Sequence, residues 1–441
     1  MTNELQNYQP SSLRSTLRLV MTAAHGGSNS EKLPLGGGAA ICERLCHCWA
    51  NTPGLELTLL SPGKIAPAGI EYKRIDVLND ASPASLSEFA YAKFCRLFEK
   101  RLTDEILRLR PDAVLTHDIA EAPNFAMLER YGIPCIPIYH VDVVDFFCRM
   151  YLHQLITPRQ AEAFWRCLRP YPLLPDILRL VFDKQAESVQ FCPHLIVPSQ
   201  NMRQILQDTY PAMPPQQTQV IPWGSPDISH SEEEIAVASA QLQERYSLAP
   251  QTPVIVTLSR ISPEKGQDLL LKGLLDNEKS ANYPDSCTVF ICGNSAYMGG
   301  ENFFAKLQSL AKRLTKTRVI FPGHLGGADK IAMLRRADIF VSASRHESYG
   351  LTTMEAMQQR TAIVAVDSAG TRQTVTPECA LIVPRSSLIP ANIYAAISAL
   401  LSDESRRLSL AAAAQRRAQQ ITFRQAAASI LALLRKVSHK A

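Results

Sequence analysis

SASRHESYGLTTMEAMQQRTAIVAVDSAGTRQT, residues Ser342–Thr374, carries the chain's clearest strand–loop–helix pattern. It opens at the end of an apolar run, Asp338-Ile-Phe-Val-Ser-Ala, which reads as a buried strand. A polar loop from Ser344 to Ser348 follows, and Gly350 supplies backbone freedom at the turn into a helix over Leu351–Gln359. The start of such a helix has N–H groups without partners and a positive dipole end, so strand, loop and helix together make an anion site. Glu347 and Glu355 flank it. Two carboxylates beside an anion site repel phosphate and suit hydroxyl-rich groups next to it. A phosphate between two polyols describes a nucleotide sugar.

Working outward, 441 residues predict two domains, at about 100–200 residues each. Apolar content of 46% is enough for sizeable cores. Eleven cysteines without a secretory pattern predict reduced thiols and a cytoplasmic chain. The first fifteen residues are polar and show no signal-peptide core. No apolar run approaches the ~18–20 residues of a membrane span. A net charge of +5 suits an anionic substrate or membrane surface, and no nucleic-acid motif is present.

In chain order, Leu17-Arg-Leu-Val-Met-Thr-Ala reads as a first strand. A Gly/Ser/Asn-rich loop then ends in Gly36-Gly37-Gly38 before a helix with Ile41, Leu45 and Trp49 at helical spacing. It is not a G-x-G-x-x-G loop and predicts no dinucleotide site; taken alone it reads first as an ordinary flexible loop. Cys42, Cys46, His47 and Cys48 crowd that helix, but no second Cys pair completes a metal set, so small buried apolar residues are expected and no metal.

Short apolar runs at Leu57 and Ala113 are followed by Ser61 and His117, with an amphipathic helix at roughly 85–110 between them. Ile133–His140 is a further strand, its Pro134 and Pro137 expected near a sheet edge or the strand's start. Strands alternating with helices mean parallel sheets, with ligands beyond the carboxyl ends of their strands, where His117 and His140 fall. From 145 to 184 aromatic and aliphatic residues, among them Phe147 and Trp165, mix with arginines and prolines. That composition fits either a membrane-interfacial segment or an insertion whose apolar side is core. A second domain begins near Pro253. Arg260 and Lys265 there sit at a strand end, held by Pro263 and Gly266, and can bracket a diphosphate.

Glu347-x7-Glu355 with Tyr349-Gly350-Leu351 inside it, and Arg260-x4-Lys265-Gly266, resemble the signatures of the retaining GT-B glycosyltransferases of glycosyltransferase family 4. The resemblance covers roughly residues 17–435. It implies an α/β fold of two Rossmann-like, doubly wound parallel-sheet domains facing a central cleft. The expected division is 1–16 disordered, 17–225 acceptor-binding, 226–415 nucleotide-sugar-binding, and 416–441 a helix returning to the first domain. It implies transfer of a hexose from a nucleoside diphosphate sugar, UDP-linked, with no other cofactor. Catalytic roles fall on Arg260, Lys265, Glu347 and His140. Donor contacts fall on Gly37, Gly38, His324, Leu325, Gly350, Leu351, Thr352 and Glu355, and acceptor-side roles on His117 and Asp118. The favoured acceptor is a membrane glycolipid of the glycosyl diacylglycerol type, with peripheral membrane contact through 145–184. The alternatives are a soluble sugar or polysaccharide acceptor, and a regulator that binds sugar nucleotides without turnover. The chain departs from the family's pattern at Arg360, Ala362, Ala369-Gly370 and Gln373, which bears on the grip on the sugar.

Overall fold

The computed structural model describes residues 16–27, 36–77, 86, 88–117, 119–171, 174–295 and 300–438. The expected disorder of residues 1–15 lies outside them, as does Asp118.

The first half runs β1 (Leu17–Thr22), α1 (Gly37–Trp49), β2 (Leu55–Ser61), β3 (Glu71–Arg74), α2 (Glu88–Leu109) and β4 (Ala113–Thr116). It continues through α3 (Phe125–Arg130), β5 (Cys135–Pro137), α4 (Val143–Met150), α5 (Pro158–Leu168) and α6 (Asp176–Phe191). β6 (Leu195–Val197), α7 (Gln200–Thr209) and β7 (Thr218–Val220) complete it. Its parallel sheet has the order β3-β2-β1-β4-β5, and a bridge from Ile138 to Ile196 extends it to β6-β7.

The second half begins with α8 (Glu232–Tyr246), β8 (Val254–Leu258), α9 (Gln267–Asn277), β9 (Cys287–Cys292), α10 (Gly300–Ala311) and β10 (Thr317–Gly323). Next come α11 (Gly327–Arg336), β11 (Ile339–Ser342), α12 (Leu351–Gln358), β12 (Ala362–Val366), α13 (Ala369–Thr374) and β13 (Leu381–Val383). α14 (Ile389–Ser402), α15 (Glu404–Gln420) and α16 (Phe423–Ser438) close the chain. Its six-stranded sheet has the order β10-β9-β8-β11-β12-β13. Both sheets are all parallel in their named pairings and read outward both ways from their first strand, which is the doubly wound Rossmann order.

Central strands such as Val254–Leu258 and Ala362–Val366 are apolar along their length because helices cover both sheet faces. The Ile41, Leu45 and Trp49 stripe of α1 is buried, and so are Cys42 and Cys46 beside it. No disulfide joins the eleven cysteines.

The placement of the prolines holds, and one boundary is corrected. β5 is the last strand of the five-stranded sheet and Pro134 immediately precedes it, as expected, with only an isolated bridge from Ile138 to Ile196 leading on to β6. Ile138 N–H donates to Thr116 O on the β4 side, so alternation turns the missing Pro137 N–H toward β6, where pairing starts only at Ile138. The return to the first domain comes at Ile421–Thr422, between α15 and α16, rather than at 416. There Ser225 N–H donates to Ile421 O at 2.8 Å and Phe423 N–H to Ser225 O at 2.9 Å, so the two chain crossings lie side by side.

The segment 145–184 divides between the two readings its composition allows. Its apolar side is core in part: Val144, Cys148, Ala161, Trp165 and Phe182 form a satellite cluster with Phe147 packed against it. α5 puts Ala161 and Trp165 inward at helical spacing and leaves Phe164 63% exposed. Tyr151, Leu155 and Tyr171 are exposed as well.

Candidate functional site

The strand order reverses between β1 and β4 in one sheet and between β8 and β11 in the other. A crevice opens beyond the carboxyl ends of the strands at each reversal. The loop after β1 leads to Gly36–Gly38, and His117 directly follows β4. Arg260 and Lys265 follow β8, and Glu347 follows β11.

α1 and α12 begin here from opposite domains. Neither N-cap, Gly36 or Gly350, brings a side chain to the first-turn N–H groups. At Gly350 the backbone has φ 95°, the left-handed region that favours glycine. A Cβ on Gly37 would lie 3.3 Å from Leu351 Cδ1, one on Gly38 would lie 3.1 Å from the His140 ring, and one on Gly36 would lie 3.9 Å from the Arg260 guanidinium. Consecutive glycines of the first domain thus meet the α12 start, the histidine and the arginine. Two helix starts and a cation converge on one space, an arrangement that can take an anion between two domains.

Lys265 Nζ donates to Glu347 Oε2 at 2.9 Å, and Ser344 Oγ reaches the same oxygen at 3.3 Å. Glu355 Oε1 accepts from Arg44 Nη2 at 2.6 Å and from Lys330 Nζ at 3.1 Å. Each carboxylate is therefore gripped by one oxygen, and the other has no hydrogen bond among the described residues. Burial pushes the Glu347 carboxyl up, but the Lys265 ammonium outweighs it and holds the group below the usual carboxylate range. Burial acts on Glu355 in the same sense and is outweighed by Lys330 and Arg44. Arg345 N–H donates to Glu264 O at 2.7 Å, and its guanidinium takes Asp268 at 2.8 and 3.0 Å. The loops carrying Lys265 and Glu347 are thereby held in register. Gly370 N–H donates to Glu347 O at 2.8 Å, and Gln373 Oε1 accepts from the Gln200 N–H of the other domain at 3.3 Å. Gly370 thus supports the loop, and Gln373, where the chain departs from the family's pattern, supports the domain contact.

His140 Nε2 lies 3.0 Å from His117 Nδ1, and the His117 Nε2 lies 3.2 Å from Met21 Sδ. His117 is 1% exposed. Burial, with His140 beside it, holds its imidazole well below the usual histidine range. It stands behind His140 rather than on an acceptor surface, so it can act on an acceptor only through His140. His324 and Leu325 form the half-buried loop between β10 and α11. Lys330 is on that same helix. Thr352 is half-buried in the first turn of α12.

Three features went unread in the sequence. Arg44 lies seven residues after Gly37, on the same face of α1, and that spacing was the available signal. Lys330 carries no local signal. Across the cleft His346 Nε2 lies 3.6 Å from Asp145 Oδ2, with Phe146 edge-on to the imidazole, so α4 touches the loop of Glu347.

Asp142 caps α4, accepting from Asp145 N–H at 2.9 Å and from Gln185 Nε2 at 3.1 Å. Burial, with Asp145 adding to it, pushes its carboxyl up to about 6. A raised acid holds its proton more tightly in the folded state. Its effect on stability is therefore an increasing cost as pH rises from the unfolded pKa to about 6, and the full cost above that. Asp142→Asn should melt higher than wild type at pH 8, by the equivalent of about 1–3 kcal/mol, and show no such gain at pH 4. Carboxylates away from Asp142 titrate alike in both proteins and cancel, and relief of the Asp142–Asp145 repulsion adds to the gain in the same direction. An offset that is the same at both pH values would defeat this account of Asp142.

Residues 239–417 match the family model for glycosyl transferases group 1, and residues 35–227 that for glycosyltransferase family 4. A D-inositol 3-phosphate glycosyltransferase of Xylanimonas cellulosilytica is 28% identical over 199 residues, 44% of this chain and 45% of that protein. The alpha-monoglucosyldiacylglycerol synthase of Streptococcus pneumoniae is 27% identical over 235 residues, 53% of this chain and 46% of its own length. The match thus spans less than half of each of these relatives. Among solved structures, Anabaena Alr3699/HepE, crystallised with UDP and glucose, superposes with a TM-score of 0.68 at 16% identity. That alignment covers 95% of this chain and 100% of the Anabaena one.

Proposed function

Because the chain belongs to the GT-B glycosyltransferases of the family-4 type, we propose that it transfers a hexose from a nucleoside diphosphate sugar to an acceptor hydroxyl with retention of the anomeric configuration. The observation that carries this is the meeting of two uncapped helix starts from opposite domains, with the Arg260 guanidinium beside Gly36 and Lys265 bonded to Glu347 in the loop before α12. Arg260 and Lys265 take the diphosphate and stabilise the charge that develops as it leaves. The N–H groups of Leu351, Thr352 and the Gly37–Gly38 turn add the helix-end field. Glu347 holds sugar hydroxyls through its unoccupied oxygen and Glu355 the ribose through its own, so neither is the nucleophile of a retaining glycosidase. His140 stands beside the donor sugar, supported by His117. The His324–Leu325 loop takes the nucleobase. The bond from the anomeric carbon to phosphate oxygen breaks, and the acceptor oxygen bonds to that carbon on the same face. The acceptor proton goes to the leaving phosphate. With two cations as countercharge, chelation leaves turnover intact.

The donor nucleotide is UDP, a reading supported by the UDP complex of the structural neighbour. The acceptor is a membrane glycolipid, supported by the diacylglycerol-named relative and by one surface of the first domain. Tyr151, Leu155, Phe164 and Tyr171 are exposed there among exposed Arg159, Arg166 and Arg169. The buried acids Asp145 and Glu162 are paired with arginines of the same segment. Arg166 and Arg169 pair with Glu162 and Asp183, so the outward face is mainly apolar, with Arg159 adding positive charge, and suits the cytoplasmic surface of an anionic membrane. No helix among the described residues is long and apolar enough to cross a membrane.

The test measures nucleotide release from UDP-hexoses in EDTA, with glycosyl diacylglycerol vesicles, with free sugars, and with neither. Release that rises tenfold or more with the vesicles supports the lipid acceptor. Efficient transfer to a free sugar moves the acceptor to a soluble one. Binding without any release points to the regulator, and loss in EDTA reversed by metal overturns the metal-free mechanism.

A further inference from the structure

We infer that Arg44 is a donor-binding residue supplied by the opposite domain, and that it reads the ribose cis-diol together with Glu355. The inference rests on the nucleotide-sugar reading above and extends it. Arg44 is on α1 of the first domain and Glu355 on α12 of the second, 2.6 Å apart through Nη2 and Oε1. Lys330 fills the same oxygen at 3.1 Å. Oε1 is thus occupied twice, and Oε2 has no hydrogen bond among the described residues.

Arg44 has a complementary vacancy. Its Nη1 is buried and has no hydrogen-bond partner among the described residues. The guanidinium lies 5.9 Å from the centroid of the Phe423 ring, at the start of α16, which covers one of its faces. What remains is one buried donor and one acceptor oxygen, on two groups already bonded to each other. A buried N–H of a charged group without an acceptor is unfavourable, and a site that holds one is poised for a ligand that supplies it.

Vicinal hydroxyls are the matching chemistry. One hydroxyl donates to Glu355 Oε2, and the oxygen of its neighbour accepts from Arg44 Nη1–H. Lys330 keeps the carboxylate ionised without competing for the free oxygen. The ribose contact then exists only while the domains are closed. Nucleotide affinity and domain position become linked through one side chain.

The experiment is calorimetric titration of wild type, Arg44→Met and Arg44→Lys with UDP, GDP and their 2′,3′-dideoxy analogues. Met keeps an apolar stem over Phe423, and Lys keeps a cation for Glu355 but not the fork. Expected is a loss of at least tenfold in the affinity of Arg44→Met for the nucleotide that wild type binds, a smaller loss in Arg44→Lys, and less than a twofold change for the dideoxy analogue. A residue that only holds the fold together would weaken both ligands alike, and that result overturns the inference. So does an Arg44→Lys protein with wild-type affinity, or a wild type that binds the dideoxy form as tightly as the natural one. Wild type that binds neither UDP nor GDP instead overturns the nucleotide-sugar reading beneath it.

Discussion

Lys265→Ala should lower kcat/KM at least a hundredfold, about 2.7 kcal/mol of transition-state stabilisation, in a protein that keeps its native circular dichroism. Two effects add. The diphosphate loses a charge-assisted contact, about 1.5–3 kcal/mol. Glu347 loses the ammonium that holds its carboxyl ionised and oriented, so the sugar contact loosens as well. Lys265→Arg keeps the charge at the wrong length and should recover part of the rate. Fold survival is expected because the lysine stands on a cleft loop with its ammonium among site groups, outside the apolar clusters. Activity within threefold of wild type in the alanine protein would remove Lys265 from the mechanism.

Trp165→Ala should cost about 3–5 kcal/mol of stability, the range for emptying a large aromatic site in a core. The indole is 4% exposed, stacks on Phe182 at 5.2 Å and donates its N–H to Asp183 at 2.8 Å. Its cluster is small, so little can close over the cavity. Leu155→Asp and Phe164→Asp, at 84% and 63% exposure, should change stability by less than about 0.5 kcal/mol. These two should instead reduce sedimentation with anionic vesicles. Denaturant melts of all three, run beside the vesicle assay, separate core from surface. Trp165→Ala with a wild-type midpoint would refute the satellite core. Exposed-site variants that still sediment fully would refute the membrane face.

Phe164 and Trp165 show what composition leaves open. Both are aromatic neighbours in an arginine-rich stretch, and only the phase of α5 decides that one is buried and one is not. The large outlines were legible because parallel sheets covered on both faces must be written as apolar runs, and those runs alternate with helical spacing. β3 was not, since Glu71–Arg74 is a polar strand on the edge of its sheet and lacks such a run. The site divides in the same way. Arg260, Lys265, Glu347 and Glu355 were readable because each pair belongs to one loop–helix unit, where spacing fixes geometry. The grip of Arg44 on Glu355 was not, because 311 residues separate the partners and only the packing of two domains brings them together. His117 was placed at the right strand end but its depth was not, since a lone histidine after an apolar run does not say whether it faces a cleft or a neighbour.

The paired crossings near Ser225 and Ile421 have a mechanical consequence. A single connecting strand would let the lobes swivel and twist like a ball joint. Two strands bonded to each other resist twist and leave one easy rotation, about the line that joins them. Gly224 N–H also donates to the Tyr349 hydroxyl at 2.8 Å, which ties that line to the loop of Glu347. Entry of the donor, exclusion of water and departure of the spent nucleotide then share a single degree of freedom, and a substitution that stiffens it should slow all three together.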